Sequence, residues 1–223
     1  MTSAFDVSRR QFLLGGASLS ALALAGCATT DLPENVRGVE KVNPYYLAMY
    51  APSFTEKYPL PAVDLRTVDP AYLRAEVDDP TGERPGTIVV HTAQRYLYLV
   101  EEGGRAMRYG VGVGKEGFSW SGHGHVGRKG EWPTWTPPAE MVARDPNARP
   151  WAGGMPGGTN NPLGARAMYI YSAAGADTLY RIHGTNDPSS IGHAVSSGCI
   201  RLIDQDVIDL YGRVPVGTKI VVV

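Results

Sequence analysis

Glycine and proline are spaced so closely along this 223-residue chain that long helices are excluded from most of it. The sequence holds 27 glycines and 17 prolines, with no collagen-like period. Proline disfavours helix interiors because it lacks a backbone N–H and clashes with the preceding turn. Hydrophobic residues make up 43% of the chain and charged residues 19%, which is enough to bury a core. We therefore expect one β-leaning globular domain with long loops, with or without an extension.

From Gly86 onward, short β-branched and apolar segments predict a strand meander. The predicted strands cover residues 87–92, 95–100, 105–113, 167–172, 178–183 and 218–223. One helix is predicted at 204–213, with Asp204 as its cap and an apolar face on one side. Residues 114–166 lack strong periodicity and are interpreted as a long binding loop or lid.

Two signals stand side by side at the amino terminus. Residues 8–13 read S-R-R-Q-F-L, which resembles the twin-arginine (Tat) export signal. The apolar stretch that follows, residues 12–25, is too short to span a bilayer core of about 30 Å. Residues 24–27 read L-A-G-C, which resembles a bacterial lipobox with Cys27 as the lipidated residue. Plain cleavage at an A-x-A-type site before Cys27 is the alternative.

These signals predict three segments and a location. Residues 1–26 form a Tat-type lipoprotein signal peptide, residues 27–85 a tether and proline-rich extension, and residues 86–223 the functional domain. Short helical turns are expected at 44–50 and 70–75, each beginning at a proline. The mature protein is expected to be periplasmic and attached to a bacterial membrane by lipid. Ala28 after the cysteine favours the outer membrane.

The two cysteines exclude a disulfide-dense scaffold and a four-cysteine zinc module. If Cys27 carries lipid, Cys199 has no intramolecular partner, and it is either buried and inert or a nucleophile. The formal net charge of −1 argues against a nucleic-acid surface. His123 and His125 lack the additional ligands and supporting contacts of a metal site, so we expect no metal and no cofactor.

His183 and Cys199 form a candidate base and nucleophile. His183 ends a predicted strand and Cys199 follows sixteen residues later, just before the predicted helix. The loop between them can bring imidazole and thiol together. A free thiol has a pKa of about 8.5, and a neighbouring imidazolium can lower it to about 3.5–7.5. Gly198 lets backbone N–H groups approach an acyl oxygen, so Gly198 and Cys199 could form an oxyanion hole.

The segments H-G-T-N at 183–186 and S-S-G-C-I-R-L at 196–202 resemble the signature of the YkuD-type L,D-transpeptidase domain. N-P-L-G at 161–164 and V-P-V-G-T at 214–218 also resemble this family. The resemblance covers about residues 86–223. It implies a mainly β fold, sandwich- or barrel-like, with one or two short helices and the long lid-like loop.

The family resemblance also implies a reaction. Such enzymes cleave between the L-centre of meso-diaminopimelate and the terminal D-alanine of a peptidoglycan tetrapeptide stem. Cys199 would form a thioester, His183 would act as base and then acid, and the Gly184 carbonyl would orient the imidazole. An amine of another stem, or water, would resolve the thioester. The partners implied are peptidoglycan stem peptides and, through Cys27, a membrane.

One position departs from the family pattern, because Ser197 replaces the second histidine of S-H-G-C. One base suffices for the mechanism, and a serine hydroxyl can still form hydrogen bonds. Arg201 is either a ligand for a substrate carboxylate or a structural ion-pair partner. Further candidate substrate contacts are Ser197, His193, Trp132 and Trp135, although the tryptophans could instead cover an edge of the sandwich.

Three other functions remain open. Water in place of the acceptor amine would make the protein an L,D-carboxypeptidase or endopeptidase. A catalytically silent peptidoglycan-binding lipoprotein is the alternative from a different class, although binding alone requires no thiol. A papain-like protease is disfavoured, since its C-G-S-C-W signature is absent and the chain after Cys199 is short.

Overall fold

The computed structural model describes residues 43–115, 120–196 and 198–223, and these lie within one compact unit. The described chain is mainly β-sheet, as the sequence predicts. The predicted Tat signal, the lipobox and Cys27 lie outside the described residues, as does Ser197. Within the described parts of the chain, no helix combines the length and apolarity needed to cross a membrane.

Nine of the eleven described strands form one sheet, in the order β1-β4-β3-β2-β11-β6-β7-β8-β10, and β5 pairs with β9 separately. The strands are β1 (Ala75–Asp78), β2 (Ile88–His91), β3 (Tyr96–Val100), β4 (Arg105–Gly110), β5 (Val113–Gly114), β6 (Gly122–Glu131), β7 (Arg166–Ser172), β8 (Asp177–His183), β9 (Ala194–Ser196), β10 (Ile200–Arg201) and β11 (Lys219–Val222). The helices are α1 (Pro44–Met49), α2 (Ala139–Arg144) and α3 (Asp204–Arg213).

The predicted meander is confirmed, since β2, β3 and β4 are antiparallel neighbours in the sheet. The predicted carboxy-terminal strand is also confirmed. As β11 it lies inside the sheet, parallel to β2 and antiparallel to β6. Its apolar sequence fits this position, because an interior strand can be buried on both faces. Ile220, Val221 and Val222 are at most 6% exposed.

The expectation of a continuous loop over residues 114–166 is wrong, because it contains the ten-residue strand β6. Because glycine is depleted in strands, the four glycines of β6 prevent its prediction from residue propensities. The structure explains two of them. A Cβ on Gly127 would lie 2.2 Å from the Tyr171 ring, and one on Gly124 would lie 2.7 Å from the Tyr171 carbonyl oxygen. The strand therefore requires glycine where Tyr171 packs across it.

The helix predicted at 204–213 is confirmed as α3, but the expected capping role of Asp204 is wrong. Ile203 occupies the cap position, and Asp204 is the first helical residue. Its carboxylate is directed to the backbone of Ala165 instead, at 2.8 Å from the amide nitrogen. The helical turns expected near residues 44–50 and 70–75 are present as α1 and as a short 3₁₀ turn, Pro70–Tyr72.

The main core lies between the sheet and α3, with Ile88, Met168, Ile182 and Leu210 among its fully buried side chains. Residues 43–74 add a second apolar cluster built on Tyr50, Val68, Leu73, Ile191 and Ile203. This segment, which we call the extension, therefore packs on the same unit as the residues that carry the candidate site.

Candidate active site

His183 ends β8, and Cys199 directly precedes the neighbouring strand β10. β10 pairs with β8 in parallel, with Ile200 opposite Ile182 and Arg201 opposite His183. Continuing this register by one residue places Cys199 beside Arg181, which lies two residues before His183 on β8. Side chains two residues apart on a strand share a face, so the thiol and the imidazole lie on the same face of the sheet. β10 therefore returns the chain to the edge of β8, the strand that ends at His183.

The His183 ring is held in one tautomer. Its Nδ1 lies 2.6 Å from the carbonyl oxygen of Gly184. A carbonyl can only accept, so Nδ1 carries the proton and Nε2 is left with its lone pair. The side chain is 4% exposed, and burial, with the positive charges of Arg201 and Arg181 nearby, lowers the pKa of His183 to about 4. The imidazole is therefore neutral at pH 7 and available as a base.

Cys199 is half-buried, and burial raises the pKa of its thiol above the ordinary value. The backbone N–H of Arg181 and the charges of Arg181 and Arg201 oppose that rise. The His183 imidazole and the Cys199 thiol are therefore both neutral at pH 7. This differs from the thiolate–imidazolium pair expected from the sequence. The difference arises because burial disfavours the charged form of each group.

A buried serine organises the turn that carries the thiol. Ser196 Oγ accepts a hydrogen bond from the Gly198 N–H at 3.1 Å and donates one to the Cys199 carbonyl at 2.6 Å. Gly198 has a φ of +118°, a conformation that favours glycine. The predicted role of Gly198 as an oxyanion donor is therefore wrong for this conformation, because its N–H is already engaged. Within the described residues, no hydrogen bond engages the Cys199 N–H.

Asp204 holds the backbone next to Gly184, whose carbonyl accepts the His183 hydrogen bond. Asp204 was not predicted as a site residue from the sequence. Its Oδ1 accepts from Ala165 N–H, and the Thr185 N–H also bonds to the carboxylate. A Cβ on Gly184 would lie 2.0 Å from this oxygen, so only glycine allows the carboxylate to approach so closely. Burial raises the pKa of Asp204 to about 6. An aspartate at the start of a helix normally suggests a cap, so the sequence carried no signal for this role.

Arg201 lies opposite His183 with its side chain half-buried. Burial lowers the pKa of its guanidinium, and Nε has no hydrogen-bond partner. No salt bridge within the described residues involves Arg201, although Asp187 lies close enough to influence its charge. The structural ion-pair role considered from the sequence is therefore not observed among these residues.

Trp132 is buried rather than open to solvent as a substrate-binding residue would be, so its predicted role as a substrate contact is wrong. The side chain is 6% exposed, its Nε1 donates to Glu56 at 3.0 Å, and the Tyr58 ring packs against it at 5.0 Å. Glu56 and Tyr58 belong to the extension, which occupies the surface that Trp132 would otherwise offer. Trp120 lies closer to the nucleophile turn, where it stacks on Tyr180.

The remaining predicted contacts within the described residues are exposed or partly buried. Trp135 is half-buried and pairs through its backbone with Met155. His193 is exposed in the segment between His183 and Cys199. His123 and His125 lie on β6, and among the described residues no group of three potential ligands could hold a metal ion.

Comparison with known proteins identifies the family to which this chain is similar. The family description "YkuD: L,D-transpeptidase catalytic domain" matches residues 85–222. The Escherichia coli (strain K12) protein named "Probable L,D-transpeptidase YbiS" is 38% identical over 139 residues, which is 60% of this chain and 43% of that protein. The protein named "Probable L,D-transpeptidase ErfK/SrfK" from the same organism is 34% identical over 152 residues, covering 65% of this chain and 46% of that protein.

This chain thus spans less than half the length of these two relatives. A Brucella melitensis crystal structure, titled as a probable carnitine operon oxidoreductase, is 46% identical, with a TM-score of 0.48 and coverage of 72% of this chain and 99% of that one. The family match covers more than half of the chain and includes both His183 and Cys199. The protein belongs to the YkuD L,D-transpeptidase catalytic domain family.

Proposed function

We propose that this protein is an L,D-transpeptidase that acts on peptidoglycan tetrapeptide stems through a Cys199 thioester. His183 Nε2 takes the thiol proton as the sulfur attacks the carbonyl of the diaminopimelate L-centre. The tetrahedral oxyanion accepts a hydrogen bond from the Cys199 N–H. Its collapse breaks the peptide bond, and the imidazolium returns the proton to the departing D-alanine amine.

The second half of the reaction reverses these roles. An amine of another stem attacks the thioester carbonyl and gives its proton to His183. The carbon–sulfur bond breaks, the thiolate recovers the proton, and a new amide remains as the crosslink. A neutral imidazole suits both halves, since it must accept a proton before it donates one. The low pKa of His183 keeps the ring unprotonated at pH 7, so that Nε2 has a free lone pair for the thiol proton.

The observation that carries the proposal is the hydrogen bond from His183 Nδ1 to the Gly184 carbonyl. His183 ends β8, and β8 pairs with β10, the strand that directly follows Cys199. The hydrogen bond leaves Nε2 as the basic atom on the face that the thiol shares. A buried structural cysteine would not require a neighbouring histidine locked in one tautomer.

Arg201 supports the choice of an anionic substrate. A half-buried guanidinium without an ion pair in the described structure is costly, and a bound carboxylate would relieve that cost. We assign to it the terminal carboxylate of D-alanine, which lies on the leaving-group side of the scissile carbonyl. Ser197, His193 and Trp135 remain candidate substrate contacts.

The test is incubation of the purified protein with disaccharide-tetrapeptide muropeptides, beside Cys199→Ala, with products identified by mass. A crosslinked dimer with loss of D-alanine, absent from the variant, is expected. Tripeptide without dimer would establish an L,D-carboxypeptidase instead. The absence of any product from a folded protein would refute the enzymatic proposal and favour the silent binding module.

We also propose export by the twin-arginine route and lipid attachment at Cys27, on the strength of the two adjacent sequence signals. A periplasmic location would give the enzyme access to its polymer. The amino-terminal peptide of protein recovered from membranes is expected to carry lipid on Cys27. A free thiol at Cys27, or a membrane-bound Cys27→Ala variant, would contradict lipidation.

A further inference from the structure

A row of positively charged and aromatic side chains crosses the sheet to the nucleophile. In the pairing of β6, β7 and β8, Arg128 is opposite Tyr169 and Tyr169 is opposite Arg181. The β8–β10 register continues the row to Cys199. Directly paired residues point to the same face of a sheet, so all four side chains share the face that carries His183. The apolar side chains of Ile170, Ile182 and Ile200 lie in the core on the other face.

Tyr169 holds the two arginines in place. The Arg128 guanidinium carbon lies 3.5 Å from the Tyr169 ring centroid, and that of Arg181 lies 4.5 Å from the same centroid. The ring is only 8% exposed. Such contacts fix the plane of each guanidinium, and they leave the N–H groups at the edge of Arg128 free to donate.

The two arginines differ in how their charge is balanced. Arg181 forms a two-pronged salt bridge with Asp177, at 2.7 and 3.0 Å. Arg128 is exposed, and no ion pair within the described residues engages it. Arg201 lies two residues after Cys199 on the same face, so this face carries three arginines beside Cys199. The nearby carboxylates, Asp177 and Asp187, balance only part of their positive charge.

We propose that Arg128 and Arg181, stacked on Tyr169, form a carboxylate-binding subsite for the donor stem. The inference rests on the proposed function and specifies its substrate. Diaminopimelate has two amino-acid centres. Its L-centre carries the scissile carbonyl, and its D-centre carries a second carboxylate at the end of the side chain. A guanidinium fork presented from the sheet face matches a planar carboxylate. Arg128 supplies a positive charge that no ion pair balances within the described residues. Arg181 lies between Tyr169 and Cys199 in the row, so it places the subsite next to the nucleophile.

The test compares two tetrapeptide stems that differ only at this carboxylate, which is free in one and amidated in the other. The wild-type protein is expected to prefer the free acid, through KM. Arg128→Gln is expected to reduce that preference about tenfold, in line with about 1.4 kcal/mol for a charge-assisted hydrogen bond, and Arg128→Lys to restore part of it. Arg84→Gln, an exposed arginine before β2, is the matched control and should retain the preference.

The same comparison is made for equilibrium binding of both stems to Cys199→Ala protein, with and without Arg128→Gln. If Cys199→Ala protein binds the free acid more tightly while the wild-type protein turns over neither stem, the proposed function is refuted and the subsite is retained. Equal affinity for the two stems, or an equal loss for both in Arg128→Gln, would overturn the subsite.

Discussion

Ser196 and Asp204 hold the backbone on either side of the reacting pair, although neither side chain exchanges a proton in the proposed mechanism. Ser196→Ala removes both hydrogen bonds of the nucleophile turn and leaves the Gly198 N–H buried without a partner. Each lost bond costs about 1 kcal/mol. We expect acylation of Cys199 by substrate to slow about tenfold or more.

Acylation is followed by intact-protein mass after rapid quenching. Ser189→Ala is the control, since Ser189 lies in the same loop but is exposed and bonds only to Asp187 among the described residues. An unchanged acylation rate in Ser196→Ala would show that the turn keeps its shape without the serine hydroxyl.

Asp204 makes stability depend on pH. Its pKa is raised to about 6 in the folded state, above the ordinary value of 3.8, so folding favours the protonated form. The unfolded chain ionises first, and the folded protein loses stability as the pH rises from about 4 to about 6. The upper bound of this loss is about 3 kcal/mol.

Asp204→Asn keeps an acceptor oxygen and cannot ionise. Its melting temperature relative to that of the wild type is therefore expected to rise between pH 4 and pH 7. A constant difference over that range would show that Asp204 does not have a raised pKa. The measurement is thermal unfolding of both proteins at matched pH and ionic strength.

At the scale of single residues, the sequence predicts the candidate pair, His183 and Cys199, but not the residues that hold it in place. His183, Cys199 and Arg201 stand in a recognisable pattern of residue types. The role of Ser196 is local, since its hydroxyl bonds to Gly198 and Cys199, two and three residues later.

The role of Asp204 depends on the amides of Ala165 and Thr185, which lie far from it in the sequence and come beside it only in the fold. Trp132 was misjudged for the same reason, because the residues that cover it are about 75 positions earlier in the chain.

At the scale of elements, the extension is attached by a buried ion pair. Glu56 accepts two hydrogen bonds from Arg166, both 2.8 Å long, and one from Trp132, and the two charged side chains are 14% and 9% exposed. Glu56→Ala leaves the Arg166 charge buried and unbalanced, which should cost about 3 kcal/mol. Glu76→Ala, which breaks an exposed pair with Arg105, should cost less than about 1 kcal/mol.

Denaturant unfolding of the two variants measures both costs, and Trp132 provides a local fluorescence signal beside Glu56. Similar costs for the two substitutions would contradict the buried attachment. The proline spacing of residues 43–74 predicted the absence of long helices correctly. It could not show that Glu56 meets a charge on β7, because nothing local in the sequence encodes that pairing.

β6 illustrates the other limit of sequence-based prediction. Most strands were found from apolar and β-branched residues, which mark a buried, pleated surface. β6 has glycines where its neighbours need space, so its sequence resembles a loop. The strand is recognisable only once Tyr171 is known to cross it.

At the scale of the whole molecule, the extension belongs to the folded unit. The Tyr50 hydroxyl donates to Asp206 at 3.1 Å and accepts from the Arg74 N–H at 2.8 Å, while Arg74 forms salt bridges with Asp206 and Asp209. Without residues 43–85, the fully buried Asp206 would lose these partners.

We therefore expect a chain starting at residue 43 to unfold cooperatively, and a chain starting at residue 86 to fail to do so. Calorimetry of the two truncated proteins measures this difference. Cooperative unfolding of both chains at a similar temperature would show that the domain matched by the family folds without its extension.

In the proposed mechanism, Cys199 forms a thioester with the donor stem, with His183 as its base. The most direct measurement is the intact mass of the protein, quenched in acid after brief exposure to a tetrapeptide muropeptide. We expect an adduct with the mass of the muropeptide less D-alanine, located on Cys199 and absent from Cys199→Ala. A crosslinked product formed without such an adduct, or formed equally by Cys199→Ala, would contradict the thioester mechanism.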